Sequence, residues 1–235
     1  MKKILSSVLV ATFLTTVACA DTSTIDWSNT SIGADAGTTG IGITFVKGLE
    51  DYEKKWGVRV GYHQFKKSFD VEDDTTKYDL DIELQDVQLM ADYHPWNSSF
   101  KWTFGFIYNG TNLKGNVKPN SSATQIVINN QSFNISKLAS VDAKIDFKNK
   151  IAPYIGIGWD TSFYQKEKTW GFTCNLGVAY FGKAEIEYTP HIIDPTISTQ
   201  VNSALAKAKE EFNRDSADKF KYYPYISIGF NYKFN

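Results

Sequence analysis

The sequence predicts an all-β chain that closes into an antiparallel transmembrane β-barrel. Three observations predict it. Apolar and polar residues alternate with a period of two along many short segments, the signature of a strand with two unlike faces. No stretch after residue 20 reaches the ~18 apolar residues that a spanning helix needs. The apolar faces carry Trp and Tyr at their ends and aliphatics or Phe between, while the opposite faces are mostly Gly, Thr and Asn. That suits a lipid-facing band with aromatic girdles around a narrow polar interior. A soluble sandwich would put the bulk inside and alternate it with Lys and Glu.

Seven strands follow in order. Gly37–Lys47 sets Ile41, Ile43 and Phe45 against Gly40, Gly42 and Thr44. From Lys55, Trp56, Val58, Val60 and Tyr62 alternate with Gly57, Arg59, Gly61 and His63. Tyr78–His94 changes phase from Leu80, Ile82 and Leu84 to Val87, Leu89 and Tyr93, which predicts a β-bulge near Gln85 and Asp86. Trp102, Phe104, Phe106 and Tyr108 form the fourth. The fifth carries Ile151, Ile155, Ile157 and Trp159, with a start as early as Ala143 because Ile145 and Phe147 keep its parity. Trp170–Tyr180 is the sixth. Tyr225–Phe234 closes the chain.

Even strand numbers are the rule for bacterial single-chain barrels, so eight are expected. The eighth is placed at Thr24–Ile32, turning near Gly37. The alternative is a hairpin at Gln125–Ile128 and Ser132–Ile135, read as decoration on an outer loop. If the last strand ends in the periplasm, the inner turns are 48–54, 95–99 and 161–168. The outer links are 70–77, 119–140 and 190–219, two of them long. The last is expected to hold a helix over about 195–218, capped by Asp194 with Pro195 in its first turn. Val201, Leu205, Ala208 and Phe212 form its apolar stripe.

The chain has 235 residues and a formal charge of −1. Residues 1–20 read as an export signal, with Lys2 and Lys3, an apolar run from Ile4 to Val17, and Ala18-Cys19-Ala20 for cleavage after Ala20. Residues 21–235 then form one barrel domain. A lipid on Cys19 is the lesser reading, because Thr16 stands where a Leu-like residue is usual. The mature chain keeps one cysteine, Cys174, and no internal disulfide. No broad basic patch remains, which argues against nucleic acid.

Candidate site residues are few. Arg59 and Asp92 are expected to pair inside the barrel. His63 faces inward near the outer end of its strand, and Asp79, Asp81 and Glu83 share one face of the next. A His–carboxylate pair at the rim is one reading and a lumen hydrogen-bond partner the other. Asn109, Asn175, Asn231 and Lys233 add polar lining. The acidic series lacks calcium-loop spacing, so no metal, cofactor or catalytic residue is expected.

The closing strand resembles the C-terminal signal of bacterial outer-membrane barrels through Ser227, Gly229, Tyr232 and Phe234. Further segments point the same way: Ala36-Gly37-Thr38-Thr39-Gly40, Asp92-Tyr93-His94-Pro95-Trp96, Tyr108-Asn109-Gly110, Ala152 to Trp159 and Lys219 to Pro224. The chain is thereby similar to the small outer-membrane β-barrel proteins of Gram-negative bacteria, with a more distant likeness to adhesin and invasin barrels. The resemblance implies a bacterial outer-membrane location, contact with lipid and lipopolysaccharide, and insertion by the barrel assembly machinery. It implies no enzyme. The expected role is envelope-structural or surface-binding, with an unidentified extracellular ligand. The alternatives are a narrow channel for small solutes or ions, and a lipid-modifying enzyme at the outer rim.

Overall fold

In a computed structural model, described over residues 27–49, 55–72, 76–119, 124–129, 131–166 and 169–234, eight strands close into one antiparallel ring. They are β1 (Thr30–Gly37), β2 (Gly40–Leu49), β3 (Trp56–Glu72), β4 (Thr76–Tyr93), β5 (Phe100–Asn109), β10 (Ile151–Asp160), β11 (Thr169–Tyr180) and β13 (Tyr222–Lys233). β1 pairs with β13, and β4 with β5, which removes both sheet edges. Closure is what lipid demands, because it satisfies no open backbone group. The proposed export signal and its cleavage site lie outside the described residues.

The eighth strand is real but misplaced in the sequence reading. It runs over Thr30–Gly37 rather than Thr24–Ile32, and Thr38-Thr39 turn it tightly into β2. Its lumen and lipid faces are small, with Gly33, Ala34 and Ala36, so no strong alternation marks it.

The exterior is apolar along every membrane strand. Ile41, Ile43, Phe45, Leu89, Phe104, Phe106, Ile155, Phe172, Ile228 and Phe230 are exposed, as are Trp102, Trp159, Trp170, Tyr108, Tyr180 and Tyr222 toward the strand ends. The alternate residues point inward and are buried.

Above the membrane the strands do not dissolve into loops. β3 and β4 run for 17 and 18 residues, where a tilted span takes about 9–11. Their outer halves continue into β6 (Asn112–Pro119), β9 (Leu138–Phe147) and β12 (Ala184–Ile192), in the order β3-β4-β6-β9-β12. Helix α1 (Ser198–Asp215) lies along this sheet and buries Val201, Ala204 and Leu205. Asp194 accepts a hydrogen bond from the Thr196 amide and caps a 3-10 turn that leads into the helix. A hairpin, β7 (Gln125–Ile128) and β8 (Gln131–Asn134), adds Phe133 to the same small core with Leu138 and Val141.

Two sequence expectations need correction. No bulge interrupts β4: its register against β3 is continuous from Tyr93 opposite Trp56 to Lys77 opposite Glu72. The phase change from Leu84 to Val87 arises because the surroundings invert while the strand stays straight. Nor does one strand run from Ala143 to Asp160. β9 ends at Phe147, and after a break β10 starts at Ile151. Phe147 packs inward with Ala152 and Tyr154, whereas Ile151 and Ile155 face lipid.

Candidate functional site

The lumen is filled in layers. Nearest the periplasm, the turn after β10 folds back into the barrel end. Phe163 stacks on His94, with ring centroids 3.8 Å apart, and Tyr164 donates to the His94 carbonyl. The Lys233 ammonium donates to the carbonyls of Phe163 and Gln165 at 2.6 and 2.7 Å. Asp160 accepts from Ser162 and Asn231. His94 lies in the turn after β4, and burial holds its imidazole below its ordinary pKa.

The next layer centres on Asp92. Arg59 grips it with Nε at 3.0 Å and a second nitrogen at 3.3 Å. Lys101 Nζ approaches to 2.8 Å and Thr103 Oγ1 to 2.7 Å. All four are buried. Four donors on one carboxylate meet the condition under which a buried charge is tolerated. The sequence points to Arg59 and Asp92 as a pair and to Thr103 on the polar face of its strand, but not to Lys101. Lys101 and Thr103 both alternate with Trp102 and so face inward by strand parity.

Above that sits His63, fully buried on β3. Its Nε2 lies 2.7 Å from Asp35 Oδ1 on β1, and its Nδ1 lies 3.1 Å from Asp86 Oδ1 on β4. Gln88 and the Tyr225 hydroxyl complete the layer. A Cβ on Gly42 would stand 2.1 Å from His63 Cδ2, so glycine there makes room for the ring. The same relation holds for Tyr154, whose hydroxyl lies 2.4 Å from where a Cβ would stand on Gly156 or Gly177. Inward glycines therefore accommodate large side chains from neighbouring strands. Met90, Ile107, Tyr154, Ala179, Phe181 and Tyr225 form an apolar cluster beside these layers, with Met90 opposite Arg59 and Tyr225 reaching His63.

Asp79, Asp81 and Glu83 do not join His63. They lie on the outer half of β4, on the opposite face of the strand from Asp86, and are partly or fully exposed. Lys118 and Lys77 pair with Asp79, and the Lys118 hydrogen bond holds its carboxyl below the usual range. The carboxylates that meet His63 were missed for definite reasons. Asp86 was assigned to a bulge, and Asp35 lay on the misplaced strand. Asn109, Asn175 and Asn231 are buried in the lumen, and Asn175 donates to Ser227. On β13, Gly229 faces inward like Ser227, and Tyr232 and the neighbouring Phe234 pack edge-on at the periplasmic end.

Among solved structures, CarO2 of Acinetobacter baumannii matches with a TM-score of 0.54 at 22% identity, over 87% of this chain and 98% of that one. The chain shares the fold of the CarO barrels. CarO of the same organism matches with a TM-score of 0.52 at 22% identity, over 87% of this chain and 97% of that one. No protein-family model and no curated protein matches. At this identity the CarO likeness concerns the fold, a small closed barrel of the outer-membrane type.

Proposed function

We propose that the protein is a closed, non-enzymatic anchor in the bacterial outer membrane that presents an ordered extracellular platform to a surface partner. The observation that carries this reading is the lumen: charged, imidazole-centred and apolar groups fill it side by side, while β3 and β4 continue well past the membrane into a sheet that also carries a helix. An eight-stranded barrel is just wide enough for side chains to fill, so groups of this size leave the interior to packing rather than to solute. Export by residues 1–20 with cleavage after Ala20, contact with lipopolysaccharide and insertion by the assembly machinery belong to the same proposal.

The test has two arms. Purified protein in planar bilayers at neutral pH should give no conductance steps over repeated insertions. Cysteine placed at Ser203, on the exposed side of α1, should react with a membrane-impermeant maleimide on intact cells. Regular steps, or labelling only after cell lysis, would overturn the reading.

A further inference from the structure

Five buried side chains are basic and four are acidic inside or at the end of the barrel. Among the described residues these are Arg59, His63, His94, Lys101 and Lys233 against Asp35, Asp86, Asp92 and Asp160. His94 sits in the turn, where burial lowers its pKa and so favours the neutral ring. Arg59, Lys101 and Lys233 are three fixed cations against four carboxylates. A proton on His63, the ring that lies between two of those carboxylates, makes the two signs equal in number.

The two carboxylate contacts favour the same proton. A carboxylate oxygen accepts and never donates. His63 presents one nitrogen to Asp35 and the other to Asp86. Both contacts are hydrogen bonds only when both nitrogens carry hydrogen, as in the imidazolium. The groups facing His63 are otherwise uncharged: Gly42 and Thr44 on β2, Gln88 on β4 and the Tyr225 hydroxyl on β13, with Arg59 one layer below on its own strand.

We propose that His63 is a proton-dependent lock on the lumen, whose deprotonation admits small monovalent cations. This rests on the closed-lumen reading above. The proton leaves from Nδ1 to water. Nδ1 has the longer carboxylate contact, and Gln88 Nε2, 3.1 Å away, is placed to donate to the vacated lone pair. Asp86 then loses its His63 bond, and its Oδ2 already lacks a partner, as does Gln88 Oε1. Two carboxylates and one neutral ring leave the lumen one negative charge in excess. A buried uncompensated charge is costly, and an entering cation neutralises it beside those free oxygens.

The experiment is bilayer conductance in potassium chloride, with folding of each sample checked by its unheated migration in SDS gels. Between pH about 6 and about 9.5, a window that leaves ordinary lysines charged, the open fraction of wild type should rise by about tenfold or more, with cation selectivity. His63→Gln should conduct at both values without pH dependence, and His63→Gln with Asp86→Asn should close again. Asp35→Asn removes the excess charge and should keep the barrel closed at high pH, which provides a test if His63→Gln does not fold. Wild type that stays closed throughout, or a His63→Gln or Asp35→Asn barrel that keeps the wild-type pH response, overturns the inference. Steps from wild type already at the lower pH would instead refute the closed-lumen reading.

Discussion

The membrane and extracellular halves of this molecule are built from the same strands with opposite chemistry. Within the membrane β4 turns Val87, Leu89 and Ala91 outward and Asp86, Gln88 and Asp92 inward. A few residues higher, Asp79, Asp81 and Glu83 continue the outward face, and the face continuous with the lumen carries Tyr78, Leu80 and Ile82, of which Tyr78 and Leu80 are themselves exposed. Cross-strand partners agree: Asp81 lies opposite Lys114, and Ile82 opposite Leu113. Lipid rewards apolar groups outside and forces polar groups in. Water rewards the reverse. A straight strand crossing from one solvent to the other must therefore exchange the character of its faces.

The five strands that leave the barrel do this in two ways, β3 running straight on like β4. β4 and the pair β5 and β6 keep their phase, so Tyr108 and Lys114 share the outer face. The other two turn over at an irregular junction. Between β9 and β10 it is Lys148–Lys150. Between β11 and β12 it includes Gly182, whose φ of +72° suits glycine. There Ile186 faces Ile145 in the extracellular core, one break away from lipid-facing Tyr180.

Charge substitutions on β4 should expose the contrast most strongly. Asp92→Ala leaves Arg59 and Lys101 buried without their anion and should cost about 3–5 kcal/mol. Asp79→Ala, on the exposed part of the same strand, should cost about 0–1 kcal/mol. Urea titration of folding into detergent micelles reads both, and equal costs would erase the distinction. Next, Leu205→Ala should destabilise the small extracellular core by about 2–5 kcal/mol and speed proteolysis of α1 while leaving the barrel intact. Loss of the whole barrel signal would show that the two halves are one cooperative unit.

Leu89→Arg puts a charge on the lipid face and should cost about 2–4 kcal/mol near the midplane. Asp81→Lys on the same face higher up should stay within about 0.5 kcal/mol. Comparison of their refolding yields in lipid vesicles checks this. The smallest effect concerns pH. Hydrogen bonds from His191 and Asn116 hold the Asp142 carboxyl below its ordinary value. Its folded-state pKa is depressed, so its contribution is present above the ordinary carboxylate range and lost as pH falls through the folded value. Amide exchange at the junction of β9 and β12 should quicken in acid and no longer do so in Asp142→Asn. Because the pair is exposed, salt should weaken the effect.

Strands whose lipid face is long and aromatic were legible in the sequence. Trp102–Tyr108 and Trp170–Tyr180 could hardly be read otherwise. β1 was displaced because its small residues carry little pattern. β6 and β12 fall in no predicted strand, although Glu185-Ile186-Glu187-Tyr188 alternates clearly, because a strand that lives in water lacks the aromatic lipid-facing band. In the lumen, Arg59 and Asp92 were visible as an opposite-charge pair on neighbouring strands. Asp35 and Asp86 were not, since seeing them requires the correct phase of β1 and β4.

The straightness of β4 is the point on which the account turns. Spin labels placed singly from Asp79 to Tyr93 in lipid vesicles can be probed with oxygen, which partitions into lipid, and with a water-soluble nickel chelate. The account predicts outward exposure at odd positions throughout, switching from the nickel probe to oxygen between Gln85 and Val87. Even positions at Leu80, Ile82 and Leu84 that respond as lipid-facing, with a phase slip at Gln85 and Asp86, would contradict it.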